Sequence, residues 1–449
     1  MNGEKMRLRR RVCTALSLSF AILTAVSLTG IAQAAPVKAK HAVGILREFP
    51  ATMNIPLDQD LRKLPAALAI QPDAPAVPED EVTTKAWQSN TPEPVSFDEC
   101  HPDPRAGNGY VVKNRLAACK MTNLRYQRYA CPEADCPIIG SASARVTVIF
   151  NMQPEQRRAV VMHKLYDIHY NGVPDSTQLG IGMSCEKVNK GTAYCDEPDT
   201  EMDKSIAEWK DEPIDFQVLT MHGEDAPNPA DNPRIQAEKR TSYLHTRHFF
   251  VVDPDDTERV EDTPLKVTFR CDVGRKLSAS YVLGSDCVFP VIAKFLLDTN
   301  DSSIKDAASL ITQAMHNYRS TYPGLTQGDF VPGRFHWNSG LRKPPLTRLY
   351  HNKAAQDANR TRAEQSCAEH WGPGYRDRPD GKTNDCFAYP FNSTTQGANA
   401  KPPNTPHGQG YAVQPVLSDA SRLLNVAIDR FTYENHILDG DQYWILIPD

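Results

Sequence analysis

The chain has 449 residues, of which 40% are hydrophobic, and a formal net charge of −5 at pH 7. A chain of this length can bury more than one hydrophobic core, so we expect at least two domains. The negative net charge excludes a protein whose whole surface is basic. A basic surface that binds nucleic acid would therefore have to be a local patch.

The first 34 residues have the pattern of a secretory signal peptide. A basic cluster in residues 7–11 precedes an apolar run from about Thr14 to Thr29, and Ala32-Gln33-Ala34 follows as a small-residue cleavage site. An uncleaved membrane anchor is the alternative, but the run is shorter than the roughly 20 residues that a bilayer crossing needs. The sequence predicts a secreted protein that has no membrane contact after signal cleavage.

Eleven cysteines occur in the chain, and loss of Cys13 with the signal peptide leaves ten. An even number in an oxidising compartment predicts disulfides, and local pairing is the simplest arrangement, although sequence leaves the connectivity open. The local pairs are Cys100 with Cys119, Cys131 with Cys136, Cys185 with Cys195, Cys271 with Cys287, and Cys367 with Cys386. A zinc site is disfavoured because no His-x-His pair lies near Cys131 and Cys136.

Residues 35–95 are rich in Pro, Ala and acidic side chains, and we expect an extended linker or disordered arm there. From residue 96 to residue 290 apolar residues alternate, for example at Val146, Val148 and Phe150, and Pro, Gly, Asn and Asp separate the runs. This pattern predicts an all-β, sandwich-like domain braced by disulfides.

Helical periodicity replaces the alternation after residue 290. Ile304, Ile311 and Met315 belong to one helix face, and a capping box of Ser303 and Asp306 would start a helix that bridges the two halves within residues 291–329. The pattern of residues 330–449 predicts a small α+β domain. We expect helices at about 353–370 and 418–431, a turn at Asp439-Gly440 and a final buried strand.

Four stretches of this last domain resemble the NucA/NucB family of secreted bacterial deoxyribonucleases. They are Pro345-Leu-Thr-Arg-Leu349, Ala358-Asn-Arg360 continuing to Cys367, Cys386-Phe-Ala-Tyr-Pro-Phe-Asn-Ser-Thr394 with Gln396-Gly-Ala398, and Ile437-Leu-Asp-Gly-Asp441. The resemblance implies a ββα-type fold, hydrolysis of extracellular DNA, and Mg²⁺ or Mn²⁺ held by carboxylates. Hard cations need oxygen ligands, so the acids of the family motif matter most.

The sequence departs from the family pattern at those positions. Phe387 stands where the resemblance implies Asp, Ala388 where it implies Glu, and Gln396 where it implies another Glu. In the third helix, Ser421 and Asn425 occupy the places of a family Asn and Gly. The usual metal-dependent mechanism is therefore in doubt for this chain.

Three other residues are candidates for a rearranged catalytic site, namely Asp385, His407 and Glu434. For each of them a plain surface or turn role is the alternative. A local excess of basic residues predicts a DNA-binding surface, for which the candidates are Arg342, Lys343, Arg348, Arg360 and Arg362. An ordinary solvated surface is the competing interpretation.

Two functions follow as hypotheses. The first is a secreted, divalent-metal-dependent deoxyribonuclease, and the second is a catalytically lapsed relative that binds nucleic acid, a cell-wall component or a protein. A toxin- or inhibitor-like module in which the β domain recognises a partner is a third.

Overall fold

The computed structural model describes residues 43–53, 55–64, 89–130, 135–154, 156–187, 194–196, 202–222, 242–252, 266–272, 287–324, 330–336, 344–400 and 410–448. The predicted signal peptide, His407, Arg342, Lys343 and Cys131 lie outside these ranges. We call residues 43–290 the β region and residues 291–448 the C-terminal region.

Two antiparallel sheets build the β region. The seven-stranded sheet has the order β1-β3-β4-β5-β9-β7, with β2 paired to β3, and the five-stranded sheet has the order β12-β11-β10-β6-β8. The strands are β1 (Val43–Pro50), β2 (Val111–Asn114), β3 (Ala117–Tyr129), β4 (Ile138–Gln153), β5 (Arg158–Asn171), β6 (Gln178–Lys187), β7 (Tyr194–Asp196), β8 (Met202–Ser205), β9 (Ile214–His222), β10 (Ser242–Val252), β11 (Lys266–Cys271) and β12 (Cys287–Val288). Two short helices, α1 (Phe97–Cys100) and α2 (Ile206–Asp211), accompany them.

One hydrophobic core joins the buried faces of the two sheets. Val146, Val148 and Phe150 of β4 contribute from the first sheet, and Ile181 and Phe269 contribute from the second. Alternate residues of a strand point to opposite faces, so the period-two pattern read from the sequence marks the face that is buried. The β region is sheet-rich, as predicted, and contains a curled antiparallel half-barrel.

The prediction of a linker over residues 35–95 is wrong for the parts that the structure describes. Strand β1 pairs along its whole length with β3, from Val43 opposite Tyr129 to Pro50 opposite Thr122. Asn90 exchanges hydrogen bonds with the backbone of Leu296 at 2.6 and 2.9 Å. The composition of this segment did not indicate its ordered structure, because the residues that stabilise it lie far away in the sequence.

Four of the five predicted disulfides are confirmed. They join Cys100 to Cys119, Cys185 to Cys195, Cys271 to Cys287, and Cys367 to Cys386. Cys136 is also disulfide-bonded, and its predicted partner Cys131 lies outside the described residues. Each of the four described bridges closes a short loop, which limits the conformational freedom of the unfolded chain.

A histidine at the centre of the β core makes stability depend on pH. His163 is fully buried, and burial, with a smaller contribution from the charge of Lys120, lowers its pKa to about 3. The unfolded chain protonates this side chain near pH ~6.5, whereas the folded chain holds it neutral, so stability falls as the pH drops from ~6.5 towards 3.

We expect His163→Leu to reduce this acid sensitivity. Between pH 6.5 and 4.5 the loss of unfolding free energy should be about 2 to 3 kcal/mol smaller in the variant than in the parent chain. Urea unfolding at both pH values measures the difference, and the exposed His351→Leu serves as the control. An identical pH dependence in parent and variant would contradict the buried neutral state of His163.

The described residues of the C-terminal region form three longer helices and two small sheets. The helices are α3 (Lys305–His316), α4 (Lys353–Trp371) and α5 (Ser418–Glu434), and the strands are β13 (Ala293–Leu296), β14 (Leu346–Thr347), β15 (Asn384–Tyr389), β16 (Ala412–Leu417) and β17 (Gln442–Leu446). Strand β17 lies between β13 and β14, and β15 pairs with β16. The predicted helices at 353–370 and 418–431 and the final buried strand are confirmed.

The predicted bridging helix has a different role from the one expected. Helix α3 begins after Ile304, which makes no side-chain capping hydrogen bond, so the capping box of Ser303 and Asp306 does not form. Its apolar face, including Ala307 and Ile311, packs in the same core as Phe431 of α5. Residues 291–324 therefore belong to the C-terminal region rather than to a connection between halves.

Candidate functional site

The four stretches that carry the family resemblance meet in space. The backbone of Arg348, in the first stretch, exchanges hydrogen bonds of 2.8 and 2.9 Å with Asp441 and Gly440, in the last. Leu349 donates to the carbonyl of Ser393 at 2.7 Å, which joins the first stretch to the third. The disulfide of Cys367 and Cys386 joins the second to the third. We call this arrangement the motif cluster.

Asn359 organises the loop of the third stretch. Its side-chain amide donates to the carbonyls of Asn392 and Thr394 at 3.0 and 3.1 Å, and its Oδ1 accepts from the backbone of Asn399 at 3.0 Å. The side chain is 4% exposed, and a Cβ on Gly397 would lie 2.3 Å from its Nδ2. A glycine is required at position 397 because the amide of Asn359 occupies the space that a larger side chain would need.

Phe387 and Ala388 are both buried, on opposite faces of β15. Phe387 packs in the main core of the C-terminal region, 6.3 Å from the ring of Phe391. Ala388 packs in a second apolar cluster with Ala363 of α4 and Val413 of β16. Consecutive strand residues point in opposite directions, so the two side chains share no pocket.

The other family positions also have structural contacts. Gln396 accepts from the backbone N–H of Thr347 at 2.9 Å and donates to its hydroxyl at 3.2 Å, which fixes the loop to β14. Ser421 is buried in α5 and Asn425 is exposed on it. An oxygen-ligated Mg²⁺ or Mn²⁺ does not fit this donor set, because two positions carry hydrocarbon and the Gln oxygen is already engaged.

The rearranged catalytic candidates are not brought together where the structure describes them. Asp385 is near the start of β15, 3.9 Å from Arg376, with 44% of its side chain exposed. Glu434 accepts from Thr91 and from Arg430, each at 2.7 Å. Within the described ranges, no group of three or more His, Cys, Asp or Glu side chains is placed to hold a metal ion.

Of the predicted DNA-binding residues, Arg362 pairs with an acid, and several basic side chains near it do the same. On and beside α4, Lys353 pairs with Asp357 at 2.6 Å and Arg362 pairs with Glu369 at 3.6 Å. Arg376 and Arg378 pair in the same way, with Glu364 and Asp380. Arg360 is exposed on α4. Paired guanidinium and ammonium groups lose much of their attraction for phosphate, so the local excess of charge is smaller than the sequence count implied.

Arg348 does not belong to a surface. It is 6% exposed, donates to the carbonyl of Ile437, and its pKa is lowered by burial. A guanidinium in this position cannot reach a DNA backbone, so the prediction that Arg348 binds nucleic acid is replaced by a role in holding the Ile437–Asp441 turn.

The acids of that turn also have structural partners. Asp439 accepts from the backbone N–H of Tyr350 at 2.6 Å. Asp441 contacts two arginines of the β region, Arg270 at 2.7 Å and Arg115 at 3.4 Å. Arg270 also donates to the carbonyl of His436 at 3.0 Å. The last motif therefore joins the C-terminal region to the β region through a largely buried ion-pair cluster.

Comparison with known proteins gives no relatives: no family model, no curated protein and no solved structure matches this chain. Of the helices that the structure describes, none has the length and apolar character that a bilayer crossing needs.

Sequence reasoning missed two sets of residues. The ion pair of Lys120 with Glu48 lies inside the β region, and a row of Arg47 and Arg125 lies on the other face of the same sheet. The only sequence signal was a charged residue within a run of strand-forming residues, which does not reveal its distant partner.

Proposed function

We propose that this chain is a secreted relative of the NucA/NucB deoxyribonucleases in which the C-terminal region has lost the metal-dependent reaction and acts by binding. The ββα-type nuclease fold of this region is part of the same proposal. The observation that carries it is the burial of Phe387 and Ala388 in two separate apolar clusters. Carboxylates at these positions are what the family mechanism requires.

The convergence of the four stretches supports the relationship to the family. Motifs separated by up to about 90 residues contact one another directly, as Arg348 does with Asp441. A chain that kept this scaffold while filling the acidic positions with hydrocarbon would keep its shape and lose its metal ligands.

DNA is the first partner to test, and we expect weak binding. Arg360 is exposed, but Lys353, Arg362, Arg376 and Arg378 of α4 and the following loop pair with acids. Affinity for a short duplex should therefore be no tighter than ordinary non-specific binding, with a Kd of ~10⁻⁴–10⁻⁶ M that weakens steeply with salt.

The test of lost catalysis is a plasmid-nicking assay on the oxidised mature protein. With Mg²⁺ or Mn²⁺ we expect no cleavage above an EDTA control, because the described residues offer no set of hard oxygen ligands. Asp385→Asn and Glu434→Gln should then behave as the parent does. EDTA-sensitive cleavage that either substitution abolishes would replace the proposal with a nuclease whose site has been rearranged.

A further inference from the structure

A cavity of about 390 Å³ lies between the seven-stranded sheet and the chain segment formed by residues 51–53 and 55–57. The segment is held over the sheet by Asn123, whose amide donates to the carbonyls of Pro50, Ala51 and Met53, the last at 2.7 Å. A cavity of this size is typical of sites for small organic molecules. We call it the sheet cavity.

The wall of the sheet cavity has an apolar side and a cationic side. The apolar side chains that line it include Phe49, Ile55 and Leu57. On the sheet, Arg125 is paired in register with Ser143, and Ser143 with His169, so these three side chains share one face. An amphiphilic molecule would match both sides.

Arg125, which lines the sheet cavity, has a second arginine as its neighbour on the adjacent strand. Arg47 of β1 is directly opposite Arg125 of β3. Like charges directly opposite each other on a sheet repel, and neither guanidinium has a carboxylate partner among the described residues. The acid among the lining residues, Asp167, is already paired with Arg145 at 3.4 Å.

Arg125 also has a buried nitrogen with unused hydrogen-bonding capacity. Its Nη1 is shielded from solvent and contacts no acceptor in the described part of the chain, and burial lowers the pKa of the guanidinium. Arg47, in contrast, donates to the carbonyl of Leu64 at 3.2 Å. A buried donor without an acceptor is unfavourable. Arg125 also lines the sheet cavity, so an anionic oxygen bound in the cavity would lie beside a cation that has no carboxylate partner among the described residues.

We propose that the sheet cavity binds a small organic anion, with its acid group on the guanidinium of Arg125 and its short apolar body against Phe49, Ile55 and Leu57. A carboxylate and a phosphate monoester share this chemistry, since both offer paired oxygens to a guanidinium. The inference goes beyond the proposed function, because it concerns the β region and holds whether or not the C-terminal region hydrolyses DNA.

Calorimetric titration of the full mature protein, with its disulfides intact, tests the proposal. The probes are hexanoate, phenyl phosphate and inorganic phosphate, which separate a carboxylate site from a phosphate site and show the contribution of the apolar body. We expect hexanoate or phenyl phosphate to bind with a Kd below ~1 mM, and inorganic phosphate to bind more weakly.

Arg125→Met should weaken binding of the better probe by at least about tenfold. Without ligand the same variant should raise the Tm by about 2 to 4 °C, because it removes a half-buried cation that has no carboxylate partner in the part of the chain that the structure describes. Arg158→Met, at an exposed position of β5, is the matched control and should change neither quantity.

Three results would overturn the proposal: no probe binding at ~10 mM, equal affinity in the parent and Arg125→Met, or a lower Tm in that variant with binding retained. Plasmid nicking by the same samples reports on the C-terminal region alone, so failure of this inference and failure of the proposed function are distinguishable.

Discussion

Phe387→Asp should unfold the C-terminal region rather than create a nuclease. The side chain is 4% exposed, and it packs with Phe391 and with the apolar faces of α3 and α5. Removing a buried aromatic ring costs about 3 to 5 kcal/mol, and placing a carboxylate in the same space costs several kcal/mol more. The sum approaches or exceeds the whole stability of a typical domain.

Denaturant unfolding followed by near-ultraviolet circular dichroism measures this effect. Phe387→Leu is the matched control, because it keeps the position apolar and should cost only about 1 to 2 kcal/mol. If Phe387→Asp folded with nearly parental stability and cleaved DNA with Mn²⁺, position 387 would face an accessible site and our account of the motif cluster would be wrong.

Glu48→Gln should destabilise the β region by about 3 to 5 kcal/mol, because it leaves a buried charge without its partner. The Nζ of Lys120 is 2.9 Å from Oε1 of Glu48, and both side chains are buried, the lysine completely. The substitution also tests the placement of β1, which supplies Glu48 from a part of the chain that its composition had assigned to a linker.

Two further variants make this prediction specific. Glu48→Gln combined with Lys120→Met should recover most of the lost free energy, because a buried ion pair is often replaced by apolar residues with little penalty. Glu212→Gln removes an exposed partner of Lys204 and should change the unfolding free energy by less than about 0.5 kcal/mol. A single Glu48→Gln variant as stable as the parent would place Glu48 outside the core.

Local patterns predicted the elements well where neighbours in sequence decide the structure. Helix α4 ends at Trp371, just before Gly372, and the alternation at Val146, Val148 and Phe150 identified the buried face of β4. Four described disulfides follow the local pairing that the spacing of the cysteines indicated. In each of these cases the information lies within about 20 residues of chain.

Contacts between distant residues explain what the sequence did not predict. The pairing of β1 with β3 joins residues 43–50 to residues 122–129. Strand β1 belongs to a Pro-rich and Ala-rich segment, and the composition of that segment does not indicate this register. The predicted DNA-binding role of Arg348 was wrong for a similar reason. A basic residue within a basic stretch is expected to be exposed, and the sequence does not show that its guanidinium donates to the distant carbonyl of Ile437.

The resemblance to the NucA/NucB motif drew attention to positions 387 and 388 but did not indicate their environment. Phe387 and Ala388 were recognised as departures from an acidic pair, yet only the structure places them in two different apolar clusters on opposite faces of one strand. The carboxylate of Asp385 lies two residues before Phe387 and is partly exposed beside Arg376, whereas the side chain of Phe387 is in the core, so Asp385 does not take over the position.

The rate of plasmid nicking by the oxidised mature protein with Mn²⁺, compared with the rate in EDTA, tests the central claim most directly. Our account predicts equal rates, within error, at every protein concentration, because the positions that would hold the metal form hydrophobic core. A Mn²⁺-dependent rate that is proportional to protein concentration and is lost in Asp385→Asn would contradict it.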